Sequence, residues 1–257
     1  LDNDSLAPVL SGSRDSGRPL RRDPGSSERV LADSGAEPLV EIPAKDDSRL
    51  TIRLADDNGR RNQASYLLHK RYGWRGYTTA QLPDDPNCVT LVALDDAAAV
   101  ATLTIGFDSP AGMSACELYP DEVSRLRETG ARLCEFTRFA VDRSDRSLEL
   151  LAMMFHVAYL LARRQRGATH VLAEVNPRHL HFYTRMLDFQ QIGPERTCPR
   201  VNAPAVLLSL SLEFGERQIA RYGGKRELAR KIRSLYPLSF STAEEAGIAE
   251  RLLRARP

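Results

Sequence analysis

Residues 132–175 read RLCEFTRFAVDRSDRSLELLAMMFHVAYLLARRQRGATHVLAEV. The first ten, Arg132 to Val141, are apolar enough on both faces to predict a buried central strand. From Leu148 to Arg166 the period lengthens to that of a helix, with Leu151, Phe155, Ala158 and Leu161 or Ala162 on one face and Gly167 as the stop. Thr169 to Val175 reads as a second strand. A strand, one crossover helix and another strand predict a parallel pair, so the fold class is α/β.

Working outward towards the N-terminus, Pro120 to Thr129 predicts a short helix stopped by Gly130. Cys88 to Asp95 and Ala98 to Asp108 predict adjacent antiparallel strands joined across Asp95-Asp96. Residues 61–72 place Ala64, Leu67, Leu68 and Arg71 at helical spacing, closed by Gly73-Trp74-Arg75-Gly76. From Arg49, the alternation of Leu50, Ile52 and Leu54 with polar residues predicts a strand ended by the turn Asp56-Asp57-Asn58-Gly59. Towards the C-terminus follow the turn Asn176-Pro177, a helix over 178–187, a short strand near Gln190 to Ile192 and a strand from Ala205 to Leu212. The expected architecture is a mixed central sheet flanked by helices.

Residues 1–48 are rich in Ser, Gly, Pro, Asp and Arg, and no aromatic residue precedes Tyr66, so this stretch is expected to be a disordered tail. Residues 49–214 form the expected catalytic unit. Residues 215–257 are a basic, helical extension, whose apolar residues Ile219, Leu228, Ile232, Leu235 and Tyr236 pack one side of it on the body. No internal repeat occurs.

Of the 257 residues, 42% are hydrophobic and 27% charged, ordinary for a globular protein. The net charge of +2 excludes a chain built to coat nucleic acid. The longest apolar run, Leu150 to Ala162, falls short of the roughly 20 residues of a membrane span. Leu1 to Pro19 offers no apolar signal segment, which makes the cytoplasm the expected location. Cys88, Cys116, Cys134 and Cys198 are irregularly spaced and read as reduced structural thiols. The five histidines show no ligand spacing, so no metal is expected, and the absence of a Gly-x-Ser-x-Gly motif argues against a serine hydrolase.

The element order resembles the GNAT acyltransferase fold. The run Asn176-Pro177-Arg178-His179-Leu180-His181-Phe182-Tyr183-Thr184-Arg185-Met186-Leu187-Asp188-Phe189 is similar to that family's strand-end Asn, Tyr-bearing helix and terminal Gly-Phe, with Asp188 in the glycine's place. GNAT enzymes commonly cradle the coenzyme A pyrophosphate in a glycine-rich segment before the long helix. Here that segment is Asp142-Arg143-Ser144-Asp145-Arg146-Ser147, without glycine. Two GNAT relatives that depart in this way are the acyl-homoserine lactone synthases and the N-acyl amino acid synthases. The strand Cys134-Glu135-Phe136-Thr137-Arg138-Phe139-Ala140-Val141 resembles both, and Gly193 to Leu208, with Arg200-Val201-Asn202 at its centre, is similar to the FeeM-type N-acyl amino acid synthases. The resemblance covers residues 49–214. It implies transfer of a long-chain fatty acyl group from acyl carrier protein, through its phosphopantetheine thioester, to the amine of an amino acid, with no bound cofactor. The competing readings are a lactone synthase using S-adenosylmethionine, a coenzyme A-dependent GNAT and an inactive GNAT-like binding module.

Acyl transfer to an amino acid needs an uncharged amine, hence a base. Glu135, in an apolar strand where desolvation raises its pKa, is the candidate; the alternative is a sheet ion pair with Arg138. Strand residues three apart face opposite sides, so Glu135 and Arg138 share a site only if a bulge intervenes; otherwise Thr137 and Phe139 accompany Glu135. The GNAT resemblance implies that bulge, with a backbone N–H near Phe139 to Val141 for the oxyanion. Arg138 then pairs the acceptor carboxylate or braces Glu135. The resemblance implies Tyr183 as general acid, against a core ring, and Trp74 as a pocket wall, against plain core. Arg200 and Asn202, in a Pro-bounded loop, suit recognition of a carboxylate or amide, or simply make the loop. Arg221, Lys225, Arg226, Arg230 and Lys231 suit docking of an acidic carrier protein, or form a solvated face.

Overall fold

The computed structural model describes residues 37–43, 49–73, 82–96, 98–142 and 147–255. The chain begins with strands β1 (Val40–Pro43) and β2 (Arg49–Leu54), helix α1 (Asn58–Tyr72), and strands β3 (Cys88–Asp95) and β4 (Ala98–Phe107). Helices α2 (Ala115–Leu118) and α3 (Pro120–Glu128) lead to β5 (Leu133–Val141), α4 (Ser147–Tyr159) and β6 (His170–Val175). Then come α5 (Leu180–Leu187), β7 (Gln190–Gln191), β8 (Arg196–Cys198), β9 (Ala203–Ser211), α6 (Leu212–Tyr222), α7 (Ala229–Ile232) and α8 (Thr242–Arg254). The sheet order is β1-β2-β3-β4-β5-β6-β9-β7, with β8 paired to β9. Among the described residues, no helix is long and apolar enough to cross a membrane.

The pair β5 and β6 on either side of α4 is parallel, as the sequence predicts, and its neighbours are antiparallel. Strand alternation divides the core in two. Val92, Leu94, Leu133, Leu172 and Leu207 face α1, α2 and α3, whereas Leu91, Ala93, Cys134, Val171, Ala173 and Leu208 face the α4 layer. Alpha-helical geometry in the long helix gives way to a π-helical turn over Leu160–Gln165, so the single helix expected to Arg166 changes its winding before Gly167, which takes the positive φ of 66°.

Three expectations need correction. Order is present before Arg49: Leu39 and Val40 are buried, and β1 pairs with β2 from Val40↔Ile52 to Pro43↔Arg49. The apolar run there is too short to stand out beside its Pro- and Asp-rich flanks; residues 1–36 and 44–48 lie outside the described residues. The turn at Asn58-Gly59 is instead the start of α1, because the Asp57 side chain accepts from the Arg60 N–H and caps the helix there. The C-terminal segment is no single helix. It breaks at Gly223 and again at Arg233, and Ile219, Leu235, Tyr236, Phe240, Ile248 and Leu252 belong to the same core as α4. Helix α2 and strand β8, four and three residues long, were not anticipated, since elements this short carry no readable period.

Candidate active site

Strand β5 carries the site. Its register with β4 runs Gly106↔Glu135 to Thr104↔Thr137, then resumes at Thr102↔Ala140, so three steps on β5 match two on β4. The extra residue is a bulge, and Arg138 within it takes a φ of 47°. The bulge resets the alternation. Glu135 and Thr137, then Ala140, look towards the α1 to α3 side; Phe136 and Phe139 pack on Phe155 of α4, with ring centroids 5.9 and 5.2 Å away. Glu135 and Arg138 therefore line one cleft, together with Thr137. Phe139, expected beside the substrate, is carried to the opposite side by the same bulge.

Pairing of β5 with β6 ends at Glu135↔Leu172, whereas β6 stays paired with β9 as far as Val175↔Val206. The two parallel strands thus part just beyond Glu135. In the gap lies an open cleft of about 220 Å³, lined by Phe136, Thr137 and Arg138 from β5 and by Glu174, Val175 and Asn176 at the end of β6. Leu68 and Tyr72 of α1 form one wall, and the β8–β9 hairpin forms another. The Tyr72 hydroxyl donates to the Phe139 carbonyl, tying α1 to the bulge.

Glu135 is 6% exposed. Its carboxylate accepts the N–H of Ser114 at 2.9 Å and of Ala115 at 3.0 Å, both at the start of α2. Burial raises its pKa above the ordinary 4.5, and the amides of Ser114 and Ala115 and the charge of Arg200 oppose the rise without cancelling it. Space for it comes from Gly106: a Cβ there would stand 3.1 Å from Glu135 Cγ and 3.2 Å from its Oε1. Arg138, half-buried in the bulge, has its pKa lowered by desolvation, and its Nη1 lies 3.5 Å from the Thr137 hydroxyl.

Arg200 also lines the cleft, but its guanidinium is engaged. Nη2 donates to both Glu174 oxygens at 2.9 and 2.8 Å; Nη1 donates to Glu117 at 2.7 Å and to the Ser114 carbonyl at 2.8 Å. Asn202 is exposed at a φ of 45° and closes the four-residue turn between β8 and β9, so it is a turn residue and does not line the cleft. Tyr183 lies against Phe155, Phe182 and Phe189, outside the cleft lining, with its phenol pushed upwards by burial. Asn176 caps the turn that follows β6, accepting from Arg178 N–H at 3.2 Å. Trp74 and Arg143 to Arg146 lie outside the described residues.

Arg221, Lys225, Arg226, Arg230 and Lys231 are all exposed on the α6 end, α7 and the turn between them. Arg226 pairs with Glu149 in the first turn of α4. Tyr72, Ser114 and Glu174 were not anticipated. Each reaches the cleft through long-range placement, and no local pattern marks them. Among the described residues, no group of three or more His, Cys, Asp or Glu is arranged to hold a metal ion.

A family model described as N-acyl amino acid synthase FeeM matches residues 63–211. The solved structure of FeeM, an N-acyl amino acid synthase from uncultured soil microbes, is similar at 23% identity over 66% of this chain and 94% of that one, with a TM-score of 0.57. An acyl-CoA N-acyltransferase from Pseudomonas aeruginosa gives 14% identity, 64% and 99% coverage and a TM-score of 0.45. BjaI, a CoA-dependent acyl-homoserine lactone synthase, gives 16%, 76% and 90%, and 0.45. No curated protein matches the chain.

Proposed function

The chain belongs to the FeeM family of N-acyl amino acid synthases and is an N-acyltransferase of GNAT-type fold; from that premise we propose that it transfers a long-chain acyl group from acyl carrier protein to the α-amine of an amino acid. The observation that carries the reading is Glu135, a buried carboxylate fixed by two backbone amides at the floor of an open cleft, with a raised pKa. An amino acid enters with its amine protonated. Glu135 takes that proton, directly or through one water, and the freed nitrogen attacks the thioester carbonyl. A C–N bond forms, the C–S bond breaks, and the thiolate leaves with the proton returned by Glu135, while the nitrogen's second proton passes to solvent to give the neutral amide. Phe139 has no register partner on β4, and its backbone N–H is our candidate donor to the oxyanion.

Arg138 is the cation assigned to the acceptor carboxylate. It lines the cleft beside Glu135, and a guanidinium there can meet a carboxylate in a fork geometry. Tyr183, set among rings outside the cleft, is not given the general-acid role.

Phe136 supports an acyl chain as donor cargo, because it lines both the cleft and a second cavity on the α4 side of the sheet. Only about 40 Å³ of that cavity is free, between walls from Ala152, Phe155, Val171, Leu187, Leu210 and Ile219, among others. Apolar walls of this kind suit a hydrocarbon tail, which must part them to enter. A carrier protein as donor is supported by the glycine-free Asp142–Ser147 segment and by the exposed cations reaching the first turn of α4 through Arg226.

The test is a purified-protein assay with acyl carrier protein and coenzyme A thioesters offered separately, against free amino acids and S-adenosylmethionine, read by mass spectrometry. An N-acyl amino acid from the carrier-protein donor is expected. A lactone formed from S-adenosylmethionine, faster turnover of the coenzyme A thioester, or no product across acyl lengths would overturn the reading.

A further inference from the structure

We propose that Arg200 is a positioning residue for the base: it braces the start of α2 so that the Ser114 and Ala115 amides stay on the Glu135 carboxylate. The inference rests on the reading of Glu135 given above. Both amides come from a helix of only four residues, which cannot hold its own orientation. Arg200 supplies the hold from the tip of the β8–β9 hairpin. One arm grips α2 at both ends, through the Ser114 carbonyl and the Glu117 carboxylate; the other grips Glu174 on β6 with two hydrogen bonds. The peptide whose carbonyl Arg200 binds is the one whose next N–H, that of Ala115, donates to Glu135. A planar fork can make both grips at once, and an ammonium cannot.

The rest of the hairpin is fastened independently. Arg196 donates to the Leu118 carbonyl at 2.6 Å and to Glu122 at 3.0 and 3.2 Å, and its guanidinium lies 4.8 Å from the Tyr119 ring centroid. The Tyr119 hydroxyl donates to Ala205 and Pro194 carbonyls. Loss of Arg200 should therefore loosen the Ser114 end of α2, whose Leu118 end Arg196 still holds, without releasing the hairpin. The groups facing Glu135 are Arg138 on its own strand, Cys88 on β3, Glu174 on β6, Tyr72 on α1 and Arg200 itself, while the neighbouring Cys134 thiol points to the α4 side. Removing Arg200 withdraws a positive charge and weakens the hydrogen bonds that the Ser114 and Ala115 N–H groups donate to Glu135, and both changes favour the protonated carboxyl.

The experiment follows the Glu135 side-chain carbon by 13C NMR in the full chain, assigned by its disappearance in Glu135→Gln. Arg200→Met is expected to move the titration midpoint up by about one pH unit, with kcat reduced about tenfold and the acceptor KM changed less than about twofold. Arg200→Lys, which keeps charge and bulk, is expected to fall between Met and wild type; it serves as the reading if the Met variant does not melt cooperatively. An unmoved midpoint in both variants, or a tenfold rise in acceptor KM with the midpoint unmoved, overturns the proposal. Full turnover by Glu135→Gln would instead remove Glu135 as the base, while the NMR midpoint still reports whether Arg200 acts on it.

Discussion

The two sides of strand β5 do different work. On the side facing α2, Glu135, Thr137 and Arg138 present ionisable and polar groups to a cleft braced by ion pairs. On the side facing α4, Cys134, Phe136 and Phe139 join an aromatic and aliphatic core, in which Phe136 also lines a small apolar space. Plain alternation keeps the ionisable groups apart from the apolar ones. The bulge at Arg138 adds what alternation alone cannot, a second charged residue on the polar side, and sends Phe139 to the apolar one. Where β5 parts from β6 beyond Glu135, Phe136 lines both the cleft and the apolar space behind it.

Breaking the polar side should have the largest effect. Glu135→Gln is expected to lower kcat/KM about a hundredfold to ten-thousandfold, the usual worth of a general base. It should also change how stability responds to pH. A carboxyl whose folded pKa is raised disfavours the fold once it ionises, so wild type loses stability as pH rises from 4.5 through the raised value. Thermal melts of the Gln variant over the same range should lack that decline.

Breaking the apolar side should leave acceptor chemistry alone and alter the donor. Ala152 lines the α4-side cavity, and Ala152→Phe is expected to cut kcat/KM for long acyl chains about ten- to a hundredfold relative to short ones, with acceptor KM unchanged. A competition assay with mixed chain lengths reads this directly. Smaller again is Gly106→Ala. Its methyl group presses on the Glu135 side chain by a few tenths of an ångström, and turnover is expected to fall about tenfold with both KM values kept. Last comes the rim beyond both sides: Arg230→Ala with Lys231→Ala should raise the KM for carrier protein about threefold at low salt, an effect that fades as salt screens it.

Much of this division was readable in the sequence. Three-residue spacing of Glu135 and Arg138 demanded a bulge if they were to meet, and the strand-helix-strand run of 132–175 set the parallel pair that opens there. Roles within the hairpin were not readable. Arg200 in a Pro-bounded loop looks the same in sequence whether it meets a ligand or Glu174, because its partners are 26 and 83 residues away. Glu135's amide donors escaped for a related reason, since they come from a helix of four residues. Strand β1 was hidden by its flanks, although the Leu39 carbonyl beside it also accepts from Arg251 and so ties this segment to α8.

The pH dependence of acceptor kcat/KM, compared between wild type, Ala152→Phe and Glu135→Gln, tests the division most directly. Wild type and the Phe variant should share one acid limb, set by a Glu135 carboxyl that titrates above 4.5 and must be ionised to accept the amine's proton. The Gln variant should lose both the rate and that limb. An unchanged limb and rate in Glu135→Gln would contradict the account.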